Sequence, residues 1–197
     1  MALRECRPLL VLTIALLLVA GCTPSPPTGY LTYRLTESAG YLSFEYPAWI
    51  PVKTVQFTDD GYYSAIDMLG PVSPADRTRT RIWVTITCDP NNPPNVLLYF
   101  ESAITVAESL SGYRFIDRSD LTVAGESAKQ IVYANILHRS DYETRVLHLE
   151  PYTVINRQIY LMHGKAVWTI SMTASEETYA SELPGFEHLL ATFVFLD

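Results

Sequence analysis

Histidine and cysteine are the side chains here that could ligate a transition metal. The chain contains four histidines and three cysteines. They form no HExxH or CxxC spacing, which would place two ligands on one helix face or in one tight loop. We therefore expect His138 at a strand end and His163 at a turn to be solvated or locally hydrogen-bonded. His148 is expected to project from an exposed sheet face. The spacing predicts no metal site and no cofactor.

Two polar stretches offer the carboxylate and amide oxygens that a hard cation such as Ca²⁺ prefers. The stretch CDPNNPPN carries Asp89, Asn91, Asn92 and Asn95. The stretch TDDGYYSAID carries Asp59, Asp60 and Asp67. The first lacks the EF-hand spacing and its closing glutamate, so turn and capping chemistry accounts for it better. The pair Asp60 and Gly61 is typical of a hairpin turn.

Nucleophilic catalysis has no linear motif in this chain, since GxSxG, SxxK and a cysteine beside a histidine are all missing from the sequence. An envelope enzyme whose site is assembled from distant residues stays open as an alternative to a binding protein. A deep pocket with shifted pKa values would favour the enzyme. The thirteen tyrosines suit either a recognition surface or strands; the ones hardest to assign to a core are Tyr62, Tyr63, Tyr152 and Tyr160.

The N-terminal residues have the pattern of a secretory signal peptide. Arg4 and Arg7 precede residues 9–20, which are apolar except for Thr13. This run is shorter than the roughly 20 residues that a membrane span needs, and it fits the apolar region of a signal peptide.

The residues that end this run point to one specific modification. Val19, Ala20, Gly21 and Cys22 resemble the bacterial lipobox, in which small residues precede an acylated cysteine. The resemblance implies that Cys22 is acylated on its sulfur, then cleaved from Gly21, and then acylated again on its new α-amino group. The alternative is an ordinary signal peptide or an uncleaved anchor. If Cys22 is acylated, we expect the partners to be the lipid bilayer, through Cys22, and a membrane-proximal protein. The location would be the bacterial cell membrane, facing away from the cytoplasm.

The mature chain divides into a short tether and one domain. We expect residues 1–21 to be the signal, residues 22–29 the lipidated, proline-rich tether, and residues 30–197 a single domain. An extended tether of about 3.1 Å per residue would hold the domain roughly 20 Å from the bilayer. The full chain has a net charge of −7, which argues against nucleic acid and anionic lipid surfaces as partners. Loss of Cys6 and acylation of Cys22 would leave Cys88 without a disulfide partner.

Strand patterns dominate the domain. Period-two alternation predicts one strand through Leu42, Phe44 and Tyr46, and another with a buried face formed by Ile82, Val84, Ile86 and Cys88. Further strands are predicted for LTVAGESAKQIVYANIL after a glycine turn at Gly125, for TRVLHLEPYTVI, and for RQIYLMHGKAVWTISMTA with a hairpin at 163–165. Trp168, Ile170 and Met172 would line one face of the last of these.

Two helices complete the predicted elements. The first follows Asn95 as a cap and has an apolar stripe made of Leu97, Phe100, Ile104 and Ala107. Ser175 is predicted to cap the second, which Pro184 would interrupt or restart. Its stripe would be Phe186, Leu189, Leu190 and Phe193. Strands, helix, strands and a terminal helix indicate an α+β fold in which helices pack on an antiparallel sheet.

Three segments resemble PsbP-like domains, the superfamily of the extrinsic photosystem II subunit PsbP and related bacterial lipoproteins. YLSFEYPAWIP is similar to their opening aromatic strand, LTVAGESAKQIVY to their small-residue turn and strand, and WTISMTASEETYASELPGFEHLLATFVF to their closing strand and helix. The resemblance implies an antiparallel β-sheet sandwiched by α-helices. It also implies an accessory, assembly or binding role instead of catalysis. No metal ligands of the family can be assigned to residues of this chain.

Overall fold

A computed structural model describes residues 29–37, 40–48, 50, 52–57, 63–73, 77–88, 95–145, 147 and 149–196. The first five strands are β1 Tyr30–Glu37, β2 Gly40–Pro47, β3 Val52–Phe57, β4 Tyr63–Val72 and β5 Arg79–Thr87. They are followed by α1 Val96–Glu108, β6 Arg114–Val123, β7 Glu126–Leu137 and α2 Asp141–Arg145. The last elements are β8 Tyr152–His163, β9 Ala166–Ser175, α3 Tyr179–Thr192 and β10 Val194–Phe195.

The strands form two antiparallel sheets. The larger has seven strands in the order β3-β4-β5-β9-β8-β7-β6, and the smaller has the order β1-β2-β10. Helix α1 contacts β7 and β8, whereas α3 contacts β2, β5 and β9. Strand pairing puts the side chains that meet these two helices on opposite faces of the large sheet. The predicted α+β fold, with helices on both sides of an antiparallel sheet, is therefore confirmed.

The main core lies between the large sheet, α3 and the small sheet. Alternation along β5 buries Ile82, Val84 and Ile86, each at most 1% exposed, as the sequence predicts. Leu42 and Phe44 of β2 face these side chains from the small sheet. Phe186 and Leu189 of α3, and Phe193 directly after it, complete this core, and all five residues are almost fully buried. Cys88 follows the last residue of β5 and is only partly buried against this core. Cys88 thus packs on the predicted face of the strand, but it lies at the edge of the core and is not fully buried.

A second, smaller core lies under α1 on the other face. Its buried members are Phe100, Ala107, Ile131, Tyr133 and Tyr160. The predicted cap is confirmed: Asn95 Oδ1 accepts hydrogen bonds from the Leu97 and Leu98 amides at 3.0 and 3.3 Å. Leu97 itself is 48% exposed, so the buried stripe is narrower than predicted.

The predicted strand at TRVLHLEPYTVI is wrong in its first half, because residues 144–145 end α2 and β8 begins only at Tyr152. Ser140 and Glu143 explain the helix. The Ser140 amide donates to Glu143 Oε2 at 3.0 Å, and the Glu143 amide donates to Ser140 Oγ at 3.3 Å. This reciprocal capping box satisfies two helix-terminal donors.

The start of α3 also differs from the prediction. Ser175 ends β9 and pairs with Val154 of β8, so sheet pairing extends through the residue that was expected to cap the helix. Its hydroxyl instead accepts the Thr178 amide at 3.3 Å in a turn, and the helix starts at Tyr179. Pro184 lies inside a continuous helix. A proline this close to the start removes a single backbone bond, to the carbonyl four residues earlier.

Candidate ligand-binding cleft

The face of the large sheet that carries α1 is only partly covered by that helix. Strand pairing aligns four side chains in one row across β5, β9, β8 and β7: Arg81, Thr173, Asn156 and Tyr133. The next row across β9, β8 and β7 holds Ser175, Val154 and Asn135. Side chains paired in this way share one face of a sheet. The alternation of these strands therefore builds a mostly polar floor beside α1.

This floor is the base of a cleft with a volume of about 350 Å³. Leu110, in the turn that follows α1, forms one wall, and Leu137 and Tyr152 lie at the ends of β7 and β8. Thr78, Arg79 and Trp83 line the side formed by β5. The volume falls at the lower end of the range for small-molecule sites.

A chain of hydrogen bonds fixes the polar floor. Thr173 Oγ1 donates to Asn156 Oδ1 at 2.6 Å, and Asn156 Nδ2 donates to Asn135 Oδ1 at 2.7 Å. Asn135 Nδ2 donates to the Ile136 carbonyl at 3.3 Å. Both asparagines are at least 93% buried, at 3% and 7% exposure. Each amide group has two hydrogens, so each keeps one hydrogen that these bonds do not use.

Two guanidinium groups stand at the β5 side of the cleft. Arg81 is held by Asp67 through two bonds, Nε to Oδ1 at 2.8 Å and Nη2 to Oδ2 at 3.1 Å. It also lies 5.1 Å from the centroid of the Trp83 ring. Arg79 makes one long bond, from Nη1 to the Gly70 carbonyl at 3.5 Å, and contacts no carboxylate of the described residues. The described lining residues include no aspartate or glutamate.

The tyrosines of this face stay protonated. Burial is the main cause that raises the pKa of Tyr133, with a smaller contribution from Tyr113. Burial likewise raises the pKa of Tyr160. Gln158 links the two, because its Nε2 donates to the Tyr133 hydroxyl at 3.3 Å and its Oε1 accepts from the Tyr160 hydroxyl at 2.8 Å. Of the four tyrosines that could not all be assigned to a core from the sequence, Tyr152 lines the cleft and Tyr160 is buried in the smaller core. Tyr62 lies outside the described residues, as does the side chain of Tyr63.

A second recess of about 420 Å³ adjoins the cleft and shares Tyr152 and Ser175 with it. Its other lining residues are Thr153, Glu176 and Glu177. Glu176 forms an ion pair with Arg114 at 2.6 Å. The carboxylates therefore lie on the far side of Ser175 from Arg79 and Arg81, and the charge changes sign along the groove.

The three histidines among the described residues lie away from the cleft lining and apart from one another. His138 Nε2 is 3.3 Å from Ser111 Oγ, as expected for a locally hydrogen-bonded residue. His163 Nδ1 lies 2.9 Å from Glu126 Oε1, and its ring stacks on Phe195 at 3.6 Å. His188 Nε2 lies 2.7 Å from Glu45 Oε2. Across the described part of the chain, no three histidine, cysteine or acidic side chains cluster as metal ligands would.

Several residues singled out from the sequence lie outside the described residues: Gly21 and Cys22, His148, Asp59, Asp60 and Gly61, Asp89, Asn91 and Asn92. Lipidation and signal cleavage therefore stay predictions. The helices that the structure does describe are all too short or too polar to cross a bilayer.

No protein-family model matches the chain, and no curated protein matches it. Solved structures do. A protein of unknown function from Pseudomonas aeruginosa is 19% identical, with a TM-score of 0.47, over 80% of this chain and 91% of its own. LpqN, involved in cell envelope biogenesis of Mycobacterium tuberculosis, is 13% identical, with a TM-score of 0.49, over 86% and 93%.

The solution structure of cyanobacterial PsbP (CyanoP) from Synechocystis sp. PCC 6803 gives a higher TM-score, 0.53, at 11% identity. The match covers 90% of this chain and 99% of the CyanoP chain. At this identity the similarity concerns the arrangement of the elements and not the side chains of the cleft. This match agrees with the antiparallel sheet and its two covering helices described above. The chain therefore has a PsbP-like fold.

Proposed function

We propose that this protein is a lipid-anchored binding protein of the bacterial cell envelope, which supports a complex close to the membrane and does not turn over a substrate. The observation that carries the binding role is the composition of the cleft. Among the described residues, the ionisable side chains that line it are Arg79, Arg81, Tyr133 and Tyr152. Arginine and tyrosine side chains are hydrogen-bond donors, and burial raises the pKa of Tyr133. These groups suit recognition better than proton transfer.

The anchor follows from the residues that precede the fold. Val19, Ala20, Gly21 and Cys22 have the lipobox pattern, and β1 begins at Tyr30. A single acyl chain binds membranes marginally, whereas two signals suffice for stable attachment, at roughly 0.8 kcal/mol for each buried CH₂. The short tether would concentrate the cleft beside the bilayer and raise its effective concentration toward partners there. The CyanoP match supports this proposal at the level of the fold.

The test compares Cys22→Ala with Cys6→Ala in bacterial cells. A palmitate analogue should label the wild type and Cys6→Ala equally, and should leave Cys22→Ala unlabelled. Cys22→Ala should appear in the soluble fraction in folded form, and should fail to complement a deletion strain. Equal labelling of Cys22→Ala would overturn the anchor, and full complementation by the released domain would overturn membrane-local action.

The binding role has its own measurement. Proteins that co-purify from detergent-solubilised membranes with the wild type, and not with Cys22→Ala, would be identified by mass spectrometry. If the purified protein instead hydrolysed a generic ester, peptide or glycoside, and a single cleft substitution abolished this activity, the protein would be an enzyme and the proposal would fail.

A further inference from the structure

We infer that the cleft beside α1 binds a small molecule that carries an oxyanion, a carboxylate or a phosphate, on a neutral polar body. This inference deepens the proposed binding role and rests on it. The first reason is that the floor of the cleft holds hydrogen-bond donors that the bonds within the floor leave unused. Asn135 and Asn156 each keep one amide hydrogen beyond the bonds within the floor. Because the described lining residues include no carboxylate, a ligand rich in acceptor oxygens suits these donors.

Arg79 is the group that would hold the oxyanion. The Arg81 fork is already engaged by both oxygens of Asp67. Arg79 has only its 3.5 Å bond to the Gly70 carbonyl and is exposed to solvent. Arginine presents donors in a planar fork that matches carboxylate and phosphate geometry. The arrangement leaves one guanidinium positioned by its strand and available to a ligand.

The neutral part of the ligand would lie between the polar floor and the aromatic side of the cleft. Trp83 stands two residues after Arg81 on the same face of β5 and lines the cleft. The volume of about 350 Å³ fits a molecule of the size of a monosaccharide derivative or an amino acid. Glu177 lines the adjoining recess, so repulsion from it would disfavour a second negative charge at that end; Glu176, the other acidic residue there, is paired with Arg114.

The test is a calorimetric titration of the full chain in detergent micelles, with NMR of the Asn135 and Asn156 side-chain amides. The probes are glucose 6-phosphate, glucuronate and glucose. We expect either oxyanion, but not glucose, to bind and to shift both amide signals. Binding of both charged probes would indicate the shared oxyanion, and binding of one alone would identify its source. Affinity should decrease as salt is added.

Arg79→Gln should weaken this binding about tenfold or more, since a charge-assisted bond is lost. Arg79→Lys, which keeps the charge, should weaken it less and covers the case in which Arg79→Gln does not fold. Arg118→Gln is the matched control. Arg118 lies on β6, pairs with Glu101 of α1 and is not among the lining residues of the cleft. This substitution should change Kd less than about twofold.

The inference is overturned if glucose binds as tightly as the charged probes, if no probe shifts the two amides, or if Arg79→Gln binds like the wild type. These results are independent of Cys22, because the titration uses purified protein. Failure here would leave the anchor test unaffected, and failure of the anchor test would leave this titration valid.

Discussion

Asn135, Asn156 and Thr173 form a hydrogen-bonded chain within the polar floor of the large sheet. Burying an amide or hydroxyl costs free energy unless it is hydrogen-bonded, and here each member bonds to the next and only one hydrogen of each amide group stays unused. Ser171 on the same face of β9 is different: it is 0% exposed, and its hydroxyl has no hydrogen-bond partner among the described residues. Removing the Thr173 hydroxyl should therefore lower the free energy of unfolding, whereas removing the Ser171 hydroxyl should raise it.

We predict that Ser171→Ala stabilises the fold by about 1 kcal/mol, because it removes a buried hydroxyl without changing the packing. Thr173→Val, which deletes the 2.6 Å bond to Asn156, should destabilise it by about 1–2 kcal/mol. Urea denaturation of both variants beside the wild type measures the two free energies of unfolding. A destabilising Ser171→Ala would show that the hydroxyl has a partner.

Cys88 gives a pH-dependent prediction at the same scale. Burial raises the pKa of its thiol above the ordinary value of 9.0. The thiolate is the reactive form, so iodoacetamide should alkylate the native thiol more slowly than the unfolded one at pH 8. The raised pKa also means that the folded state retains the proton, so this group's contribution to stability is present below pH 9 and decreases as the pH rises above it.

The measurement uses a Cys6→Ala/Cys22→Ala chain, in which Cys88 is the remaining thiol of the three. Cys88→Ser should cost about 1 kcal/mol, at the low end for an added hydroxyl, because the site is only partly buried. Native and unfolded rates that agree would contradict the packing of Cys88 against the core.

Of the cleft residues, the sequence indicated only Tyr152. Asn135 and Asn156 carry no motif, and their meeting depends on the β7–β8 register, Asn156 lying opposite Tyr133 and Asn135 opposite Val154. A signal was present: IVYANIL places an asparagine within an apolar strand, and a buried polar side chain needs a partner. The partner, 21 residues away, could not be identified without the pairing.

At the scale of elements, the connection from α1 to β6 determines where the cleft wall stands. Gly112 has a φ of +65°, and a Cβ there would lie 2.6 Å from Ile136 Cδ1 of β7. The Ile136 amide donates to the Ser111 carbonyl at 2.8 Å. Glycine thus allows the turn to approach β7 closely, which holds Leu110 against the cleft.

We predict that Gly112→Ala destabilises the protein by about 2–4 kcal/mol, from the positive φ together with the clash. Gly125→Ala is the matched control, because Gly125 has a φ of +83° but no atom within 4 Å of an added Cβ. It should cost only about 1–2 kcal/mol. Thermal unfolding of both variants gives the difference, and equal effects would exclude the contact with Ile136.

Elements whose buried faces follow a strict period were predictable. The alternation at the start of β5, the hairpin at Gly164 and the Asn95 cap agree with the structure, whereas β9 is buried on both faces and shows no such period. Errors occurred where two local preferences competed, as at Ser175, where β9 pairing prevailed over helix capping. The two-residue strand β10 has too few residues for a period, and its pairing with β2 is entirely non-local.

At the scale of the whole molecule, β10 links the end of the described chain to its beginning. Phe195 stacks on His163 with ring centroids 3.6 Å apart and meets Trp168 at 5.0 Å. Val194 beside it is 45% exposed. Substitutions at Phe195 and Val194 can therefore distinguish the contribution of side-chain packing from that of the backbone pairing of β10.

Phe195→Ala should destabilise the protein by about 2 kcal/mol, below the cost in a full core because Phe195 is partly exposed. Val194→Ala should change stability by less than about 0.5 kcal/mol. Guanidinium denaturation of the two variants provides the comparison. Equal effects would mean that the aromatic contacts of Phe195 contribute nothing beyond the strand itself.

The small sheet also determines the order in which the molecule can be completed. The Glu45 amide of β2 donates to Thr192 Oγ1, 147 residues later, at 3.0 Å. β10 then pairs with Ser43 and Leu42. A chain synthesised from its amino end can pair β1 with β2 early, but it presents this hairpin long before α3 and β10 exist. Leu42 and Phe44 therefore stay exposed to solvent until α3, which packs against them, has been synthesised. A chaperone acting on the nascent chain would find its target in these two strands.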